Sequence, residues 1–193
     1  MSPKVAERVS ILLGPQIWLP LLLIIFISRT GLTAQQIKIL LPPLLLFQVI
    51  IPLAYLHSAR RMGWAISWDL PRRKERLRFF ILLFFANSIS LVLVYLFGSK
   101  LLFDLSVLLF LLMSLTVIAT YFSKLSLHVS LNTFGALLAN FLFGWSMPFL
   151  YLAIPIIVWA RLILNKHTIS QLLIPVFINS TLIMLFLYYF GYM

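Results

Sequence analysis

The amino-acid sequence predicts an all-α protein, a polytopic transmembrane helical bundle, and three features of its composition lead to this prediction. Of the 193 residues, 63% are hydrophobic and only 10% are charged, and the mean hydropathy is +1.09. Soluble domains carry about 25% charged residues, so lipid is the expected solvent for this chain. The length fits one compact bundle, and we expect a single transmembrane domain over residues 1–193.

Apolar stretches along the chain predict six or seven membrane spans. A hydrocarbon core of ~30 Å requires about 20 apolar residues per helix, and seven stretches approach this length: residues 10–28, 38–57, 79–97, 103–122, 131–147, 148–164 and 171–190. The fifth and sixth stretches are short and are separated only by the turn at Trp145–Pro148. They form either one long kinked helix or a tight hairpin, and Gly144 and Pro148 favour the hairpin.

The longest polar connection is an interfacial loop, residues 58–78, which carries seven cationic side chains against Asp69 and Glu75. An excess of Lys and Arg marks cytoplasmic loops, so we place this loop inside the cell. Alternation of the spans then places the N-terminus and residues 123–130 and 165–170 on the same side. Trp64 and Trp68 are four residues apart, and on a helix they would share one face at the depth of the lipid headgroups.

The net charge of +11 limits the classes of partner. Membrane surfaces and phosphate groups are natural partners for such a chain, and we expect a multi-pass protein of a bacterial cytoplasmic membrane that contacts membrane lipids. A nucleic-acid-binding domain requires a continuous basic face. Here the charges lie in short loops between apolar stretches, so no nucleic acid is expected. The sequence leaves the oligomeric state open.

Metal-dependent chemistry is not expected from these residue types. The sequence has no cysteine, and it has only four acids, which form no D-x-x-D or E-x-x-H pair: Glu7, Asp69, Glu75 and Asp104. Magnesium sites in membrane lipid enzymes need several such carboxylates. The three histidines also lack the close spacing of a zinc site. We therefore expect neither a metal nor a cofactor.

Two polar segments carry the residue types of metal-free phosphoryl transfer. They contain, in order, Lys124, Ser126 and His128, then Arg161, Lys166, His167 and Gln171. Both segments lie at predicted span ends on the same side as the basic loop. In such chemistry one imidazole attacks phosphorus, a second protonates the leaving oxygen, and Arg or Lys neutralises the remaining oxygens.

The spacing within these segments resembles the motifs of the type 2 phosphatidic acid phosphatase superfamily, P-S-G-H followed about forty residues later by S-R-x5-H-x3-D. Ser126 and His128 match the Ser and His of the first motif, and Arg161 and His167 match the Arg and His of the second. The resemblance covers roughly residues 69–175. It implies that His167 is the nucleophile and His128 the general acid, while Arg161 clamps the phosphate and Ser126 donates a hydrogen bond to it.

Further candidates for phosphate binding are cations outside these matched positions: Lys124, Arg72, Arg73 and Arg76. The run from Asp69 to Arg76 stands where the family carries a K-x6-R-P motif. The alternative interpretation is topological, because positive residues hold a loop inside the cell whatever else they do. Likewise, Lys166 has an ordinary interpretation as an interfacial lysine, and His57 as a helix-end residue.

Three positions depart from the family pattern. Leu125 and Leu127 replace its Pro and Gly, and a Leu hinders close approach of backbone N–H groups to a phosphate. Gln171 replaces the Asp that orients the nucleophilic His. Gln171 can accept the proton on Nδ1, but it cannot stabilise an imidazolium as a carboxylate does.

The spacing of Arg161 and His167 also makes a geometric prediction. The two residues are six positions apart, which places them about 120° apart on a straight helix. For both to reach one phosphate, we expect the helix to end or bend near Asn165.

The sequence thus supports two functional hypotheses. The first is a metal-independent phosphatase-like membrane protein that hydrolyses a lipid phosphate or pyrophosphate, of a phospholipid or polyprenyl substrate, through a phosphohistidine intermediate. In it His167, His128 and Gln171 form the catalytic set. The alternative is a catalytically inactive homologue that binds anionic lipid headgroups or a membrane protein partner. A transporter is less favoured, because no charged residue lies in the middle of a span.

Overall fold

The computed structural model describes residues 2–67 and 70–193, and this part of the chain is helical with short connections. Helices α3 and α4 are joined by a π-helical segment, Leu46–Ile50, and α8 is preceded by a 3-10 segment, Pro148–Leu152. The α-helices are α1 Pro3–Leu12, α2 Pro15–Arg29, α3 Ala34–Leu45, α4 Ile51–Arg61, α5 Arg73–Phe97, α6 Lys100–Phe122, α7 Leu127–Leu142, α8 Ala153–Ile163 and α9 Ile169–Tyr189.

The prediction of a helical membrane bundle is confirmed, but the count of six or seven spans is not. Among the described residues, five helical stretches are long and apolar enough to cross a membrane: Pro3–Arg29, Ala34–Arg61, Arg73–Phe97, Lys100–Phe122 and Ile169–Tyr189. The other two apolar helices, Leu127–Leu142 and Pro148–Ile163, are shorter than the others. The difference arises because these two helices are short: α7 has 16 residues, whereas a hydrocarbon core requires about 20.

The chain forms two compact units. Unit 1 comprises Met1–Ile25 and Lys124–Met193, and unit 2 comprises Phe26–Ser123. The prediction of one domain over the whole chain stays a prediction, and the two units are described separately below.

In unit 1 the first helical stretch is broken between α1 and α2, and buried side chains of α7 contact the chain at and after this break. Pro15 begins α2 after a turn at Leu13–Gly14. The Leu13 carbonyl, freed from the helix by this turn, accepts a hydrogen bond from Asn132 Nδ2 at 2.7 Å. Further along, Gly135 of α7 lets the Trp18 ring approach closely, since a Cβ at Gly135 would lie 3.0 Å from the ring atoms.

Helices α7 and α9 of unit 1 run in the same direction. The Ser126 N–H donates to the Gln171 carbonyl at 3.2 Å, and Asn179 Nδ2 donates to the Ser130 carbonyl at 2.8 Å. The two helices are therefore parallel, and α8 leads the chain back after the predicted hairpin. Gly144 and Trp145 make its turn in the left-handed region, with φ of 61° each.

Unit 2 is built on an antiparallel pair, α5 and α6, which meet at a tight turn at Gly98 and Ser99. Gln48 of the π segment donates to Asn87 Oδ1 of α5 at 3.1 Å. Lys100 pairs with the buried Asp104 one turn later on α6, with a distance of 2.7 Å between Nζ and Oδ2. These two contacts satisfy the Asn87 and Asp104 side chains, which are buried inside this apolar unit.

The basic connection between α4 and α5 is shorter than the predicted loop of residues 58–78. Helix α4 continues to Arg61 and α5 starts at Arg73, and residues 62–67 form turns and bends rather than a helix. Trp68 and Asp69 lie outside the described residues, so the predicted pairing of Trp64 with Trp68 on one helix face lies outside them too.

Candidate functional site

The two polar segments singled out in the sequence meet in unit 1, where α7 and α9 begin. Lys124 Nζ donates to the Lys166 carbonyl at 3.2 Å, and the Ser126 N–H donates to the Gln171 carbonyl at the same distance. We call this group the helix-start cluster; its members are Lys124, Ser126, His128, Arg161, Lys166, His167 and Gln171. Since α7 and α9 run in the same direction, both present the positive ends of their dipoles here.

A fully buried apolar core fixes the backbone beneath the cluster. It contains one or two residues from each of four helices, Ala6, Val129, Ile157, Ala160 and Leu172. Three of these are immediate chain neighbours of cluster members: Val129 follows His128, Ala160 precedes Arg161 and Leu172 follows Gln171. Packing of the core therefore determines the backbone positions from which the polar side chains of the cluster extend.

The connection from α8 to α9 brings Arg161 and His167 together. Helix α8 ends at Ile163, and Asn165 adopts a φ of 51°. The Lys166 N–H then donates back to the Arg161 carbonyl at 3.1 Å. The predicted end or bend near Asn165 is confirmed, and its physical basis is this left-handed residue, which reverses the chain.

The imidazole of His167 is held in one tautomer. Its Nδ1 lies 3.2 Å from the carbonyl oxygen of Lys124. A carbonyl can only accept, so the proton of the neutral ring resides on Nδ1 and the lone pair is on Nε2. This acceptor is a backbone group, so no residue type in the sequence could indicate it.

His167 remains neutral well below ordinary pH. Burial, followed by the positive charges of Arg161 and Lys124, lowers the pKa of His167 to about 4, although hydrogen bonds to the Lys124 carbonyl and the Gln171 side chain act in the opposite direction. The cationic neighbours oppose protonation of this ring, but they favour an anion beside it. The result is a neutral imidazole in a positive environment.

Gln171 occupies a structural position as well as contacting His167. Its Oε1 accepts from the Thr168 N–H at 3.2 Å, as the third residue of a capping box at the start of α9. It also hydrogen-bonds to the His167 side chain. The Nδ1 partner at 3.2 Å is the Lys124 carbonyl, which fills the orienting position that the resemblance gave to Gln171.

Two candidate phosphate ligands of the cluster are enclosed by protein. Ser126 has no exposed surface and caps α7, where its Oγ accepts from the Val129 N–H at 3.5 Å. Arg161 is 2% exposed and donates from Nη1 to Ser10 Oγ of α1 at 3.0 Å. Ser126 and Arg161 therefore both make structural hydrogen bonds inside unit 1.

His128 is the second residue of α7 and is partly buried. Its carbonyl accepts from Asn132 Nδ2 at 2.7 Å, the same group that donates to Leu13. Asn132 was not among the candidates predicted from the sequence. An amide within an apolar stretch is nevertheless a signal of a structural or functional contact, and in the structure Asn132 is fully buried. It links the start of α7 to the break between α1 and α2.

The remaining candidates, Arg72, Arg73 and Arg76, lie in unit 2 at the start of α5. The Arg73 guanidinium lies 4.0 Å from the centre of the Tyr121 ring. Arg76 is buried and donates to the Pro71 carbonyl at 3.1 Å. The prediction that these arginines share a phosphate with the histidines stays a prediction.

Among residues 2–67 and 70–193, no three His, Asp or Glu side chains gather as metal ligands would. Comparisons of the chain with family models, with curated proteins and with solved structures found no match.

Proposed function

We propose that this protein is a membrane-embedded phosphatase-like enzyme that hydrolyses a lipid phosphate or pyrophosphate without a metal. The observation that supports this most strongly is the state of His167. Its Nδ1 proton is engaged by a carbonyl, its pKa is lowered to about 4, and Arg161 and Lys124 place positive charge nearby. A neutral imidazole with a lone pair on Nε2, next to cations that attract phosphate, is suited to nucleophilic attack on phosphorus.

The proposed reaction has two steps. First, His167 Nε2 attacks phosphorus, the bond from phosphorus to the lipid oxygen breaks, and that oxygen takes a proton from the His128 imidazolium. The intermediate is a phosphohistidine. Second, water attacks phosphorus and gives a proton back to His128, the N–P bond breaks, and inorganic phosphate leaves. Lys124 neutralises charge on the phosphoryl oxygens, while Arg161 contributes its field from a buried position.

A second candidate is binding of anionic lipid headgroups without hydrolysis. The specific observation in its favour is that Ser126 and Arg161, two residues aligned with phosphate ligands of the family, are 0% and 2% exposed and make contacts within the protein. A descendant that kept the cluster's charge but lost its ligands would still attract phosphate headgroups.

The membrane topology belongs to the same proposal. Helices α7 and α9 begin at the same end of unit 1, so the intervening chain must travel away and return. We propose that Leu127–Leu142 and Pro148–Ile163 both cross the membrane, which gives seven spans. Sixteen residues extend about 24 Å, and thinning of the bilayer or longer flanking side chains accommodate such short helices.

The decisive experiment is phosphate release by the purified protein in lipid nanodiscs. The substrates are phosphatidic acid, phosphatidylglycerol phosphate and a polyprenyl pyrophosphate, each with and without EDTA. We expect release that EDTA does not reduce, and loss of release in His167→Ala. Lys38→Ala is the control, because it removes an exposed side chain of unit 2 that lies outside the cluster.

Three outcomes would contradict the proposal or part of it. Full activity in His167→Ala means that the nucleophile is wrongly assigned. Loss of activity on chelation, restored by Mg²⁺, excludes the histidine mechanism. If wild type releases no phosphate from any substrate yet retains these lipids on purification, headgroup binding is the better description.

A further inference from the structure

A shallow pocket in unit 2 lies at the end of α4, and three of the five described residues that line it are basic. The lining residues are His57, Arg60, Arg61, Ala65 and Ile66. We infer that this pocket binds the phosphate of an anionic phospholipid headgroup. The site lies apart in sequence from the helix-start cluster, and the inference does not depend on catalysis by His167.

The basic side chains of this pocket share one face of α4. Positions 57, 60 and 61 are related by three and four residues, which is the spacing of neighbours on a helix surface. A phosphate bound in the pocket would therefore lie beside all three of these positions. The sequence contains no acid between Glu7 and Asp69.

Capping of the helix does not account for these side chains. Helix α4 ends in a glycine turn, with Gly63 at a φ of 71°. Backbone N–H groups satisfy the last carbonyls: Trp64 and Ala65 both donate to Ala59, at 2.8 and 3.0 Å, and Gly63 donates to Arg60 at 3.2 Å. This is the arrangement of a Schellman-type ending. Backbone N–H groups therefore close the end of the helix.

The depth of the pocket matches the headgroup layer. The helical stretch Ala34–Arg61 has 28 residues, about 42 Å of helix, while the hydrocarbon core is ~30 Å thick. Its last turns therefore extend into the headgroup region. Ile66 in the pocket lining is 58% exposed, and the nearby Met62 and Trp64 are 62% and 55% exposed. Exposed apolar side chains next to cations, with a Trp among them, are typical of a surface that contacts both acyl chains and headgroups.

The test uses the full-length protein in detergent and native mass spectrometry. The probe is phosphatidylglycerol, a phosphodiester that the proposed monoester and pyrophosphate chemistry does not consume, with phosphatidylcholine as the neutral reference. We expect wild type to retain phosphatidylglycerol in preference to phosphatidylcholine. The double variant Arg60→Gln/Arg61→Gln should weaken phosphatidylglycerol binding about tenfold, because it removes two charge-assisted contacts to phosphate.

The matched control is Arg29→Gln/Lys38→Gln, which removes the same charge from two exposed positions in unit 2. It should change binding less than about twofold. Equal weakening by the two double variants would mean a general effect of surface charge and would overturn the inference. No preference for phosphatidylglycerol in wild type, or its displacement by inorganic phosphate at millimolar concentration, would overturn it as well.

Discussion

The helix-start cluster of unit 1 and the arginine run of unit 2, residues Arg72–Arg78, look alike in sequence but differ in structure. In the cluster, the single arginine is 2% exposed and donates to Ser10, and it lies close enough to His167 to lower its pKa. In the run, Arg72 and Arg73 are exposed, and Arg73 lies over the Tyr121 ring. One region buries charge next to a titratable ring, and the other leaves most of its charge outside.

This difference shows that the number of cations is a poor guide to chemistry. Exposed arginines at a span end interact with water and lipid headgroups. They orient the protein in the membrane, and this effect does not require precisely placed side chains. A buried cation instead requires fixed partners, and it shifts the protonation of its neighbours. Burial of Arg161 beside His167 is therefore more informative than the richer charge of the arginine run. The experiments below test this contrast, from the largest expected effect to the smallest.

Replacement of the buried arginine should have the largest effect on stability. We expect Arg161→Ala to lower the free energy of unfolding by about 2–4 kcal/mol, because it leaves a cavity and removes the donor to Ser10. Arg72→Ala, at an exposed position, should stay within about 0.5 kcal/mol of wild type. Thermal unfolding in detergent measures both. Equal losses in the two variants would remove the distinction between the two regions.

A smaller effect is expected from the buried amide that links α7 to the broken first span. Asn132→Ala leaves the Leu13 carbonyl without its 2.7 Å donor, at a cost of about 1–3 kcal/mol. Thr133→Val is the matched control: Thr133 is also fully buried, but its hydroxyl has no hydrogen-bond partner among the described residues. Since no hydrogen bond is lost, Thr133→Val should be neutral or slightly stabilising. Destabilisation by Thr133→Val as large as that by Asn132→Ala would show that packing, not hydrogen bonding, supports the break.

The helices were largely predictable from the sequence, because hydrophobic composition decides which segments enter lipid. The stretch 103–122 corresponds to α6, Lys100–Phe122, and 171–190 corresponds to α9, Ile169–Tyr189. The bend near Asn165 followed from residue spacing alone. The break at Leu13–Gly14 was not predicted, since its free carbonyl is satisfied by Asn132, more than a hundred residues away.

For the candidate site, the sequence identified residue types but not their environments. The spacing paired the segments around His128 and His167, and hydrogen bonds between Lys124, Ser126 and the start of α9 do join them. The acceptor for His167 is a carbonyl, which every residue has, so no residue type could reveal it. Burial of Arg161 and Ser126 depends on how four helices pack, and a local motif contains no such information.

Protonation of His167 should make stability depend on pH in a defined range. In the unfolded chain the ring protonates at about 6.5, whereas in the folded protein it does so at about 4. The unfolded state therefore binds more protons between these values. Stability from this group is complete above pH 6.5 and falls as the pH is lowered towards 4. His167→Gln should flatten this dependence, measured as the difference in unfolding temperature from wild type across the range. An unchanged slope would mean that the ring is not desolvated.

The smallest effect on stability, and the sharpest test of the electrostatics, is expected from Gln171→Glu. Glutamate has the same length as glutamine, so it keeps the capping box: its oxygen can accept from the Thr168 N–H as Gln171 Oε1 does at 3.2 Å. Unfolding temperature should therefore change little. A negative charge beside His167 favours the imidazolium, so the pKa of His167 should rise from about 4 towards 6.5.

Histidine NMR in detergent measures that rise directly. If His167 is the nucleophile, phosphate release should increase at pH 8, where the ring is still neutral and a carboxylate stabilises the charge that develops on attack. It should decrease at pH 5.5, where more of the ring is protonated. Gln171→Asp is the length control: it carries the same charge on a shorter side chain, so a gain is expected only if that side chain still reaches the ring. An unshifted resonance in Gln171→Glu would show that position 171 does not act on the ring, and the orienting role would then fall to the Lys124 carbonyl alone.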